Sequence, residues 1–125
     1  MFKTKFKFAV ALIAALAPTI ALAQGTVPGQ YMVPLGYCRL TATTLESATP
    51  LSSCSGGIPA GASMAAIQAE TAAVRYRDDG TAPTASVGME IVSGANPMLY
   101  TGTLSELQFI AASGSPLLDV VFYRQ

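Results

Sequence analysis

The sequence predicts an all-β fold, a small antiparallel β-sandwich of jelly-roll type that follows a cleaved N-terminal signal helix. Three observations predict it. Short apolar runs recur at roughly ten-residue spacing between Gly/Pro turns, as sandwiches and jelly rolls require. Two runs, Ala72–Arg77 and Leu117–Tyr123, alternate with period two, the mark of strands with distinct faces. Charge is sparse, and the two cysteines Cys38 and Cys54 stand ready to staple a domain too small to hold a large core.

The first element is a targeting segment. Lys3, Lys5 and Lys7 form a basic start, FAVALIAALAPTIALA from Phe8 is uncharged and apolar, and Ala21-Leu22-Ala23 gives the small-residue cleavage pattern. This is the signature of a secretory signal peptide over 1–23. Pro18 interrupts the apolar run before it reaches the roughly 20 residues a spanning helix needs. The expected mature protein therefore starts at Gln24, keeps no stable membrane span, and is exported to the periplasm or the extracellular space. Removing the signal leaves roughly 100 residues, one small domain.

Residues 24–33 read as an extended lead-in, marked by Gly25, Pro28 and Gly29, and the sandwich domain is expected over 34–125. Tyr31–Val33 and Gly36–Ala42 look like short strands separated by Pro34, which confines any ladder there to an edge or a break. Thr43–Gly57, rich in Ser, Thr, Ala and Gly, reads as a long loop with one helical turn near Thr44–Ser47, clipped by the cysteine pair. In an oxidising compartment Cys38 and Cys54 are expected to form a disulfide. Closing a loop of roughly 16 residues contributes about 3 kcal/mol on the chain-entropy estimate.

Ile58-Pro59-Ala60-Gly61-Ala62 is a turn leading into a strand at Ser63–Ala69. That run is alanine-rich and could pass for helix, but the flanking turn residues and the Val-Arg-Tyr-Arg alternation favour a hairpin with Ala72–Arg77. Asp78-Asp79-Gly80 closes the second strand with turn chemistry, and Thr81–Ser86 continues as a loop around Pro83. Strands are expected at Val87–Val92 and Met98–Thr101, around Leu107 and Phe109, and at Leu117–Tyr123. The turns at Gly94-Ala95-Asn96-Pro97 and Ser113-Gly114-Ser115-Pro116 separate them.

The domain after the signal holds four arginines (Arg39, Arg75, Arg77, Arg124) against seven carboxylates (Glu46, Glu70, Asp78, Asp79, Glu90, Glu106, Asp119). It lacks the basic block of a nucleic-acid binder. The chain has no His, and its lysines all lie in the signal, so imidazole triads and lysine nucleophiles cannot be built in the mature domain. No P-loop, G-x-S-x-G or dinucleotide glycine pattern is present, and no cofactor is expected. A carboxylate-only hydrolase would need two of Glu70, Glu90 and Glu106 in one pocket, which spacing does not support. Asp78 and Asp79 fit either Ca²⁺ chelation, if other oxygens converge, or a turn whose carboxylates cap backbone N–H groups; the turn is the expectation. Arg75 and Arg77 share the outer face of their strand within reach of Glu70, Asp78 and Asp79, so Arg75, Arg77, Asp78 and Asp79 form the candidate interaction loop. The expectation is a non-enzymatic module with a protein partner or self-association. The alternative is a small-ligand or glycan site around Arg75–Thr84.

The run IPAGASMAAIQAETAAVRYRDDGTAPTASVGMEI (Ile58–Ile91), then MLYTGTLSELQFIAASGSPLLDVVFYR (Met98–Arg124), resembles small proteins encoded among tailed-bacteriophage structural genes. The Pro-Ala-Gly-Ala turn, the Arg-Tyr-Arg-Asp-Asp-Gly strand end, the Pro-Thr-Ala-x-x-Gly-Met segment and the final strand ending in an aromatic and a basic residue carry the likeness. It extends over most of Pro34–Arg124. The resemblance implies a virion-associated β-sandwich of decoration or tail type, without catalytic residues. The signal peptide departs from that pattern, because virion proteins assemble in the cytoplasm; the departure fits either an exported, bacterially retained relative or an unusual phage protein routed to the envelope.

Overall fold

The computed structural model describes residues 31–125; the expected signal peptide and most of the lead-in lie outside them. Eight strands follow one another: β1 (Val33–Leu40), β2 (Thr49–Pro50), β3 (Met64–Glu70), β4 (Val74–Arg77), β5 (Met89–Ile91), β6 (Met98–Tyr100), β7 (Gln108–Ala111) and β8 (Leu117–Arg124). They form two four-stranded antiparallel sheets, one in the order β1-β8-β3-β6 and the other β2-β7-β4-β5. The strands pair first with eighth, second with seventh, third with sixth and fourth with fifth. A long antiparallel ribbon rolled on itself, so that β8 meets β3 and β7 meets β4, gives this order. The fold is an eight-stranded jelly roll, as the sequence predicts.

Period-two patterning places the core. In β3, Ala65, Ile67 and Ala69 are buried while Ala66, Gln68 and Glu70 are only half-buried. In β8, Leu118, Val120 and Phe122 point inward. Val74, Leu107 and Phe109 meet them from the other sheet, and Leu45 and Leu51 close the core from the long loop. Tyr76 packs at the edge of this core, its ring 6.2 Å from that of Phe109.

Two local readings need correction. Ser63–Ala69 and Ala72–Arg77 are strands, but not a hairpin, because β3 and β4 lie in different sheets. Thr71 takes a left-handed conformation (φ 67°), and the Ala72 N–H donates to the Glu70 carbonyl at 2.8 Å, a reversal too tight to leave β4 beside β3. The Thr71 hydroxyl donates to the Ser115 carbonyl at 2.6 Å and fixes the corner. The chain thereby brings the apolar faces of β3 and β4 onto one core from opposite sides. The second correction concerns Pro34, which does not end a strand. Strand β1 runs through it, the register shifts between Pro34 and Gly36, and β1 lies at a sheet edge, where a missing N–H is tolerated.

The disulfide joins Cys38 of β1 to Cys54, 16 residues on, with both cysteines buried. Inside the loop it closes, Thr44–Glu46 and Leu51–Ser53 form single 3₁₀ turns. The buried Thr49 hydroxyl sits 2.6 Å from the Thr44 carbonyl and 2.9 Å from that of Ser47, donating its one proton to either. No helix among the described residues is long and apolar enough to cross a membrane.

Candidate functional site

At the end of the sandwich where β4 finishes and β5 starts, the 78–88 connection borders an open cleft of about 260 Å³. Tyr76, Val87 and Met89 supply its apolar surface; Arg77, Asp78 and Asp79 its polar rim. All but one of the expected interaction residues therefore gather at this cleft. Arg75 is the exception, and its position explains the loop.

Alternation puts Val74 and Tyr76 toward the core and sends Arg75 to the outer face of its sheet. From there its Nε donates to the Ala85 carbonyl at 3.0 Å and its Nη1 to the Gly88 carbonyl at 2.9 Å. The guanidinium also lies 3.9 Å from Glu90, its cross-strand partner, rather than near Glu70. Arg75 is thus a tie rod, with two of its donors bonded to loop carbonyls. Thr84 adds a second constraint: Thr84 and Val87 exchange backbone hydrogen bonds (2.9 and 3.2 Å), and the Thr84 hydroxyl accepts from the Val87 N–H at 3.0 Å. Gly88 is required where it stands, at φ 140°, because a Cβ there would come within 2.9 Å of the Tyr76 carbonyl. This pinned geometry ends the strand expected at Val87–Val92 short, leaving Met89–Ile91.

On the rim, Arg77 grips Asp79 through two hydrogen bonds, 3.0 and 2.5 Å. Asp79 also accepts the Thr81 N–H at 3.2 Å, the expected turn role. The Arg77 guanidinium, then the Thr81 N–H, hold the Asp79 carboxyl down to a pKa of about 2. Asp78, also on the rim, accepts the Tyr100 hydroxyl at 3.0 Å. Partial burial, then the hydrogen bond to Asp78, raise the Tyr100 phenol above its ordinary value. Gly102 makes room for this contact, since a Cβ there would overlap the Tyr100 hydroxyl. Glu106 approaches from the β6–β7 connection, its Oε2 within 3.3 Å of where a Cβ on Gly80 would sit.

The sequence reading missed Val87 and Met89, because apolar residues in an expected strand read as core. Both are instead exposed, at 51% and 65%. The remaining carboxylates do not converge. Glu70 lies 3.3 Å from Arg39 on the outer face of the first sheet, whereas Glu90 is on the outer face of the second. Arg39 also binds Asp119 (2.7 and 3.0 Å), whose pKa it lowers, and Asp119 accepts the Tyr37 hydroxyl. Among the described residues no group of three or more His, Cys, Asp or Glu side chains is placed to hold a metal. No protein family, curated protein or solved structure matches the chain.

Proposed function

We propose that this chain is an exported, non-enzymatic structural or interaction module, a jelly roll that decorates or joins a larger assembly in the manner of phage virion-associated sandwiches. The observation that carries the reading is the pinned 78–88 loop, which holds Val87 and Met89 in solvent beside a cleft. A backbone pinned beneath these side chains has already lost freedom that binding would otherwise remove, as suits a docking surface. The sequence supports the same reading: the mature domain offers no imidazole or amine nucleophile, and the signal peptide and cysteine pair belong to an oxidising compartment. Cosedimentation of the purified mature protein with phage particles and cell-envelope fractions, together with light scattering at high concentration, tests it. Association with a particle, an envelope fraction or itself is expected; a strict monomer that binds none of them overturns the proposal.

A second reading, a small-ligand or glycan module, would have to use this cleft, which is small and carries a single aromatic, Tyr76. Thermal-shift screening against sugars, Ca²⁺ and anions tests that reading, and silence across all three ends it.

A further inference from the structure

Strand β5 is an edge unlike the others. Edge strands with unpaired backbone groups recruit further strands unless something blunts them. Strand β1 carries Pro34 and a register shift, β2 is two residues long and contains Pro50, and β6 follows directly on Pro97. Strand β5, at the edge of the second sheet, is as short as β6 at three residues but has no proline within it or beside it. Around it the chain leaves Val87, Met89 and Val92 exposed at 51%, 65% and 58%.

The charge here has one sign to offer. Asp78, Asp79, Glu90 and Glu106 outnumber Arg75 and Arg77 at this end and edge; Asp79 is paired with Arg77 and Glu90 lies 3.9 Å from Arg75, which leaves Asp78 and Glu106 outside any ion pair among the described residues. The size of the cleft also selects. At about 260 Å³ it falls below the roughly 300–1,000 Å³ of pockets that enclose a drug-sized molecule. That volume suits a single apolar side chain, and its one aromatic, Tyr76, makes a poor sugar platform.

We propose that β5 and the adjoining cleft bind an extended, basic segment of a partner protein, which adds to the sheet as a further strand. One of its apolar side chains seats on Tyr76, Val87 and Met89, and its Lys or Arg side chains meet Asp78, Glu90 and Glu106. The backbone of β5 supplies affinity and the cleft supplies selection, as in other strand-addition complexes. This inference rests on the interaction-module reading and names its surface and partner chemistry. The partner is another protein: Arg124 is the only cation among the described residues outside an ion pair, and it belongs to β8.

Selection of short linear peptides from a displayed random library on the wild-type mature chain, with Met89→Asp and Val87→Asp variants in parallel, tests the proposal. Both side chains are exposed, so both variants should fold, and thermal unfolding checks that they do. The expected result is enrichment of peptides alternating apolar residues with Lys or Arg. Their affinity should drop roughly tenfold or more on either variant, as at a hot spot, and a proline placed centrally in the peptide should abolish binding. Failure to enrich any peptide, enrichment of acidic or uncharged ones, or equal binding to the variants would overturn the proposal. Cosedimentation run on the same three proteins separates the two levels. If wild type and variants associate alike, the module reading survives and the β5 site fails; if the wild type associates with nothing, the module reading itself fails.

Discussion

Two long segments of this jelly roll, one of them carrying the short strand β2, solve the same problem in opposite ways. The 41–57 stretch, between β1 and the turn that leads to β3, folds its apolar side chains inward: Leu45 and Leu51 are fully buried and Cys38–Cys54 clips the loop to the sheet. The 78–88 connection is pinned as firmly, by Arg75, Thr84 and the Arg77–Asp79 pair, yet it turns Val87 outward. A loop that buries its apolar groups is explained by the core it completes. A loop that is fixed and still exposes them is the surface on which we propose an interaction, while the first loop serves stability.

The sharpest way to break the comparison is to exchange the expected consequences. Leu51→Ala should cost about 2–5 kcal/mol in denaturant unfolding, since it opens a cavity in the core. Removing both cysteines, or reducing the bridge, should cost about 3 kcal/mol for a closed loop of this length. Neither change should alter binding by whatever fraction stays folded. In the second loop, Gly88→Ala should destabilise by more than about 1 kcal/mol, because the new side chain meets the Tyr76 carbonyl at a positive φ.

Of the two loops, acid should act on the second. The Asp79 carboxyl is depressed to about 2, below the ordinary value of about 3.9. Its pairing therefore contributes fully above about pH 4 and is lost as pH falls toward 2. Amide protection factors at 78–88, corrected for the intrinsic rate at each pH, should fall through that window while those at 41–57 hold. The smallest effect on stability belongs to Met89→Ser, expected within about 0.5 kcal/mol of wild type in thermal unfolding because the side chain is in solvent.

What the sequence made legible follows the same division. Alternation in Val-Arg-Tyr-Arg and Leu-Leu-Asp-Val-Val-Phe-Tyr showed which side chains face the core, and Gly/Pro turns showed where strands stop. Period two, however, reports a face and not a partner. The three residues 71–73 suit a hairpin or a change of sheet equally, and only the Thr71 corner decides. Strand β2 was too short to show any period. Of the site, Arg75, Arg77, Asp78 and Asp79 were visible as a charged strand end. The Tyr100–Asp78 bond was not, because it joins residues far apart in the chain, and Met89 was hidden by its resemblance to a core residue.

The central claim is that the 78–92 surface, and not the disulfide-clipped loop, meets the partner. Amide hydrogen exchange of the mature protein, free and bound to the phage-particle or envelope fraction that retains it, tests this most directly. Protection gained across 78–92 with no change at 41–57 is the predicted result. Protection gained at 41–57, or on the outer face of β1 and β8 with 78–92 unchanged, would contradict it.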